Sequence, residues 1–271
     1  LNGLEAVILG CGPAGGVPSI AHGWGACDPN NPLNRRRRPS LLVRATTDER
    51  EARFLVDASP DFREQALGAG IRALDAVFIT HVHADHTHGI DDLRDVNRVM
   101  KAAIDLWARP EDLAELDGRF GYCFTPLAPE ATSIYKPLLV PRALEPGRAV
   151  RPVDGLDLEV VGFTQGHGWS TTLGLRFGPL AYSTDAVTLD AAAFAALEGV
   201  DTWIVDCFTT HPHPTHAHLE LVLGWIERVK PRRAILTHMG PGLDHGTLRG
   251  LLPDHVEPAH DGMVISVPLE P

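Results

Sequence analysis

Thr80-His81-Val82-His83-Ala84-Asp85-His86 is the stretch on which the fold is decided. It follows the apolar run Ala76-Val77-Phe78-Ile79, which reads as a buried strand bounded by polar residues. Four potential metal ligands in six positions, delivered from a strand end, are hard to explain as packing. Imidazole and carboxylate together suit zinc, manganese or iron. His81 and His83, two apart in an extended chain, project the same way. Asp85 and His86 then turn into the next segment, toward a second ion.

The chain has 271 residues and is 44% hydrophobic, enough to bury a full core. No composition break marks a boundary, so residues 1–271 are expected to form a single domain. The net charge of −11 argues against a protein that lives on phosphate backbones, because nucleic-acid affinity needs concentrated Lys and Arg. The one basic run, Arg35 to Arg38 before Pro39, reads as a solvated loop, with contact to a substrate phosphate as the alternative. Cys11, Cys27, Cys123 and Cys207 lie far apart with no CxxC pairing. That spacing fits reduced thiols and a cytoplasmic location. No stretch approaches the roughly 20 apolar residues that span a bilayer, so no membrane partner is expected. The N-terminus also lacks the pattern of a secretory signal.

Strands are expected at Glu5–Leu9, Ser40–Ala45, Arg53–Val56, Ala76–Ile79, Asp105–Ala108, Leu156–Val161, Thr172–Phe177, Leu180–Ser183, Thr202–Val205, Arg233–Leu236 and Met263–Val267. Helical patterns fall at Pro60–Ala69, near Ile90–Ala103, and at Pro110–Leu116, Ala191–Leu197, Leu219–Lys230 and Leu248–Leu251. Ser59-Pro60 and Arg109-Pro110 look like helix starts with proline in the first turn. Strict βαβ alternation is absent, so two mixed sheets with helices outside fit better than a doubly wound sheet. Residues from Phe120 to Pro141 carry many prolines and little periodicity. They read as a long loop over one face, a lid or substrate wall.

Gly10-Cys11-Gly12-Pro13-Ala14-Gly15 satisfies the GxGxxG pattern directly after a strand. A dinucleotide site needs a helix to begin there, and Gly15-Gly16-Val17-Pro18 continues as loop-forming sequence. No nucleotide cofactor is expected. The glycines instead let the loop pass close to another backbone or to the mouth of the site.

One cluster from 81 to 86 cannot close two metal shells, so later strand ends must contribute. His167 follows the strand ending at Val161, Asp185 follows Tyr182-Ser183-Thr184, and His238 follows Ala234-Ile235-Leu236-Thr237. Each is a ligand-type residue where a buried strand runs into a loop. Asp57, after Phe54-Leu55-Val56, has two readings: a carboxylate accepting a ligand histidine's free N–H, or a scaffold aspartate.

This order of residues, HxHxDH followed by a His, an Asp and a His, resembles the metallo-β-lactamase superfamily over nearly the whole chain. Within it the chain looks closest to the phosphoribosyl cyclic phosphodiesterases of phosphonate breakdown. The carrying features are Gly10-Cys11-Gly12 through Gly16-Val17-Pro18, Asp206-Cys207, Thr215-His216 before Leu219, Leu236-Thr237-His238 and Asp261-Gly262-Met263. The resemblance implies an α/β fold, a four-layer αββα sandwich of two mixed β-sheets with helices outside. It also implies two divalent metal ions, zinc or manganese, with iron an option. His81, His83 and His167 would hold one ion, and Asp85, His86 and His238 the other, with Asp185 bridging. Two cations about 3.5–4 Å apart repel, which is why a shared carboxylate and a shared hydroxide are needed between them. Some relatives hold a structural zinc with several cysteines after the Gly-rich turn. Here the loop offers Cys27 alone, so no third ion is expected.

By the same resemblance His216 is the general acid and Asp85 counts among the catalytic groups. An imidazole, with an ordinary pKa of about 6.5, can hold a proton at working pH and give it up. Asp206 would orient His216 or cap its strand, and His211, His213 and His218 read as solvated loop residues. The expected activity is hydrolysis of a small cyclic phosphate or nucleotide-like phosphodiester by the hydroxide between the metals. A lactone or thioester hydrolase on the same dinuclear site, and a non-catalytic metal- or nucleotide-binding accessory protein, are the alternatives. RNA processing is a weaker reading, given the acidic balance. The expected partner is a small phosphate ester, and a homodimer is among the expectations because relatives often pair.

Overall fold

The computed structural model describes residues 1–269 and contains two seven-stranded sheets. The first runs, edge to edge, through Val264–Val267, Gly3–Gly10, Ser40–Thr46, Glu51–Val56, Ala76–Phe78, Ile104–Ala108 and Leu139–Ala143. The second runs through Val256–Pro258, Arg233–Thr237, Thr202–Asp206, Leu180–Ser183, Ser170–Phe177, Val160–His167 and Ala149–Val150. Each sheet is mixed, antiparallel toward one edge and parallel toward the other.

Period-two alternation decides which side chains meet. Ala6, Ile8, Leu41, Val43, Phe54, Val56 and Phe78 point into the core between the sheets. Their neighbours Val7, Leu9, Leu42, Leu55 and Val77 point the other way, onto Phe62, Leu93, Val96 and Leu116 of the outer helices. Across the inner face, Phe177 stacks on Phe54 at 6.1 Å and meets Phe78 edge-on at 5.5 Å. Helix residues Val222, Ile226 and Leu248 cover the outside of the second sheet. The result is the four-layer αββα sandwich that the resemblance implied. No helix among the described residues is long and apolar enough to cross a membrane.

The expected strands and helices are present, and the differences have local causes. Three strands escape the sequence reading: Leu139–Ala143, Ala149–Val150 and Val256–Pro258. All lie at sheet edges or are only two residues long, and two contain proline, which is tolerated at an edge where one side needs no donor. The strand expected at Leu156–Val161 instead begins at Val160 and runs to His167, so His167 ends the strand instead of following it at a distance. The helix expected at Pro60 begins at Phe62, after a turn in which the Ser59 hydroxyl and carbonyl accept from the Asp61 and Phe62 N–H groups. The segment near Ile90 splits into a 3₁₀ turn, Ile90–Asp92, and a helix, Leu93–Met100, ended by Lys101 at φ +55°.

The Gly-rich turn passes close to another backbone. A Cβ on Gly10 would lie 2.1 Å from the Arg38 carbonyl oxygen, and one on Gly12 would lie 2.9 Å from that of Arg36. Gly10→Ala should therefore destabilise the fold by about 3 kcal/mol, read as a lower urea midpoint at unchanged slope. Gly68→Ala, on a helix where a Cβ meets nothing, should leave stability unchanged or raise it.

Candidate metal centre

All seven expected ligands converge at one end of the two sheets. His81 lies just past the Ala76–Phe78 strand, and the one-turn helix Ala84–Thr87 carries Asp85 and His86. His167 closes the Val160–His167 strand. Asp185 and His238 follow the strands Leu180–Ser183 and Arg233–Thr237. Asp57, Asp185 and His238 all adopt positive φ, at 62°, 52° and 57°. Such backbone is costly for residues with a Cβ and marks a functional constraint.

The two oxygens of Asp185 face different neighbours. Its Oδ1 lies 3.9 Å from His81 Nε2 and 3.9 Å from His167 Nε2. Its Oδ2 lies 3.1 Å from His86 Nε2 and 3.3 Å from His238 Nε2. Asp85 Oδ2 completes the second group, 3.3 Å from His86 Nε2 and 3.7 Å from His238 Nε2. Two groups result, one of His81, His83, His167 and Asp185 and one of Asp85, His86, Asp185 and His238. Ligands each bound at about 2.0–2.2 Å to one tetrahedral ion lie about 3.4 Å apart, which matches the second group.

Hydrogen bonding leaves the right atoms free. The His167 Nδ1–H donates to the Thr215 carbonyl at 2.7 Å, since a carbonyl can only accept. The Asp57 carboxylate accepts from the Thr80 N–H, the Thr80 hydroxyl and His86 Nδ1 at 2.8, 2.9 and 2.7 Å. With its proton committed to Asp57, the Thr80 oxygen accepts from His81 Nδ1 at 3.1 Å. Whenever these rings are neutral, Nε2 is thereby the lone-pair nitrogen. His81, His86 and His238 Nε2 are buried without a hydrogen-bond partner. Orphaned imidazole nitrogens aimed at shared carboxylates are the donor set a divalent cation requires. The residues fit such ions.

The charges respond accordingly. Burial pushes the His81 imidazole well below its ordinary value. Burial opposes a charged His238, yet Asp185 and Asp85 lift it to about 9. His86 is opposed by burial in the same way and is raised by Asp85, Asp185 and Asp57. Burial works against the Asp185 carboxylate, and His238 and His86 hold it well below the usual range. Asp206 lies beside this group: its Oδ2 is 3.1 Å from His216 Nδ1 and accepts from the Ala186 N–H at 2.9 Å. Its Oδ1 stands 3.9 Å from His238 Nδ1, so Asp206, His216 and His238 form a third cluster.

A cavity of about 670 Å³ opens over these residues. His83, Asp85, His167, Asp185, His216 and His238 line its floor, and Pro13 to Gly16 and Ser19 to His22 form a wall. No residue of the Phe120–Pro141 segment lines it, which corrects the lid reading. That segment lies instead against the Leu93–Met100 helix, where Arg98 and Asn97 donate to the carbonyls of Ile134 and Leu138. The solvated-loop reading of the arginine run holds for Arg35 and Arg37, which are exposed, and is corrected for Arg36 and Arg38. Arg36 is 2% exposed, and its guanidinium donates to the carbonyls of Met239, Gly240 and Leu243, just after His238. Arg38 enters the cavity and pairs along one edge with Asp61. His213 also lines the cavity, 5.4 Å from His216 ring to ring, whereas His211 is exposed as expected. Cys27 is buried, with its thiol against the carbonyls of Pro241 and Leu243.

A family model for β-lactamase superfamily domains matches residues 52–239. A diphosphatase from the PhnP family is 31% identical, with 97% of this chain and 96% of that one covered at a TM-score of 0.83. The chain belongs to the metallo-β-lactamase superfamily. An octanoyltransferase of Porphyromonas gingivalis is 30% identical over 262 residues, 96% of this chain and 51% of that protein. The chain spans about half, or less, of the length of the curated relatives it matches. Zinc-bound PqqB of Methylobacterium extorquens shares the fold at 19% identity and a TM-score of 0.71, covering 96% and 99% of the two chains. Metallo-β-lactamase-fold neighbours such as the PhnP-family diphosphatase are hydrolases, and the fold implies divalent metal cofactors.

His86 and His238 must be neutral to present a lone pair. Cation uptake should therefore expel protons below about pH 9, and affinity should fall as the pH is lowered. Calorimetric titration at pH 7 in two buffers of different ionisation heat should show net proton release. Buffer-independent heats would contradict this reading.

Proposed function

We propose that the protein is a dinuclear metal-dependent phosphodiesterase cleaving small cyclic phosphates or nucleotide-like phosphodiesters. The observation that carries this reading is the pairing of a two-sided Asp185 carboxylate with an acid, His216, in one cavity. Two divalent ions held by the two groups, zinc or manganese by donor type, would supply hydroxide near neutral pH and offset charge on phosphoryl oxygens.

The chain's own groups then have distinct tasks. Asp206 fixes the His216 ring through Nδ1, which turns Nε2 outward as the proton donor to a leaving alkoxide. The Phe208 ring packs 5.0 Å from that of His216 and limits its rotation. Arg38 is the one Lys or Arg among the described cavity residues, and Asp61 holds it in place to receive anionic charge. An uncharged lactone offers Arg38 no anionic group to pair with, and a thiolate leaves without a proton. Arg38 and the acid pair together favour the phosphodiester over those alternatives. A single cavity arginine on a chain of net charge −11 also favours a small ester over a nucleic acid.

Asp185→Ala should abolish hydrolysis. His216→Ala should slow an alkyl phosphodiester by about 10²–10⁴-fold, and bis(p-nitrophenyl) phosphate far less, because nitrophenolate needs no proton. Equal losses on both esters would make His216 a binding residue. Turnover of a homoserine lactone or a glutathione thioester alone would overturn the phosphodiesterase reading.

A further inference from the structure

Ile20 and Trp169 are the two most exposed large hydrophobic side chains among the described residues, at 108% and 88% relative exposure. Both line the cavity of the metal centre. They reach it from unrelated parts of the chain. Ile20 lies in a tight loop closed by mutual backbone bonds between Ser19 and Gly23, each 2.9 Å. Trp169 occupies a two-residue turn between the paired residues His167 and Ser170, next in the chain but one to a ligand position. Gly168, at φ +67°, takes the first place of that turn, so the second place has no backbone need for any particular side chain. A polar residue would serve the hairpin equally well, and an exposed indole there adds nothing to the core.

We propose that Trp169 and Ile20 form a subsite for a flat aromatic group of the substrate, in chemical class a nucleobase, carried next to the phosphoryl group that is cleaved. This deepens, and rests on, the phosphodiesterase reading. An indole face offers sequence-tolerant stacking to any planar π system, and Ile20 supplies an apolar surface at the same mouth. The charged end of such a molecule meets Arg38 and the histidine floor of the same cavity. A second copy of the chain is the competing occupant. Seated on both side chains, it would cover the opening through which the ester must enter.

The test uses metal-loaded full chain and two esters with one reacting group, adenosine 2′,3′-cyclic phosphate and 1-O-methylribose 2,3-cyclic phosphate. The wild-type protein should prefer the adenosine ester through KM. Trp169→Ala should reduce the kcat/KM ratio between the two esters by about tenfold, with the change in KM, and Trp169→Phe should restore most of it. An unchanged ratio overturns the subsite. If neither ester is hydrolysed and bis(p-nitrophenyl) phosphate is also left intact, the phosphodiesterase reading fails. Whenever neither ester is hydrolysed, calorimetry decides the subsite separately. Tighter binding of AMP than of ribose 5-phosphate, lost in Trp169→Ala, supports it, and equal binding overturns it. A change of oligomeric state in Ile20→Ser or Trp169→Ala, without any base selectivity in the wild type, assigns the surface to a contact between copies and also overturns it.

Discussion

A carboxylate as deeply buried as that of Asp185 would keep its proton unless opposing charge were brought to it. His238 and His86 bring that charge, and His81 and His167 set Nε2 3.9 Å from its other oxygen, spaced for a cation between them. The rest of the architecture serves this convergence. Strands from both sheets end at the same level, and three of the turns leaving them place non-glycine residues at positive φ. Backbone of that kind costs about 1–3 kcal/mol per residue, and it persists because the inter-sheet core around Phe54, Phe78 and Phe177 fixes each strand end.

Around the ligands, a second layer of hydrogen bonds sets which nitrogen of each ring is free. Thr80 is central to it, joining Asp57 and His81, and Asp57 carries the link on to His86. Farther out, the buried Arg36 guanidinium ties the segment after His238 to the turn that precedes the Ser40–Thr46 strand. Asn34 extends the same tie to Asp244 at 2.6 Å, and Asp244 caps the His245–Leu251 helix. The position of His238 is therefore coupled to the Gly-rich wall of the cavity.

The sandwich was legible because both faces of its strands are covered, which writes long apolar runs into the sequence. The seven converging residues were legible for a different reason: ligand-type side chains at strand ends are conspicuous against such runs. Edge strands were not, since Pro141 and Pro258 read as loop where only one side is paired. The role of Arg36 was hidden because its partners are backbone carbonyls about 200 residues away, which leave no trace in residue type. Arg38, Asp61 and His213 needed three-dimensional proximity that spacing does not encode. Trp169 did carry a signal, an indole one glycine beyond His167, and its meaning depended on seeing it exposed over the cavity.

Everything depends on two groups of side chains sharing one carboxylate. The direct measure is metal content per chain after dialysis against zinc or manganese, for the wild-type protein and for Asp185→Asn. The account predicts two equivalents for the wild type and a loss in the variant that affects both equivalents, because each group loses the same negative partner. A single equivalent in the wild type, or two that survive the substitution unchanged, would contradict it.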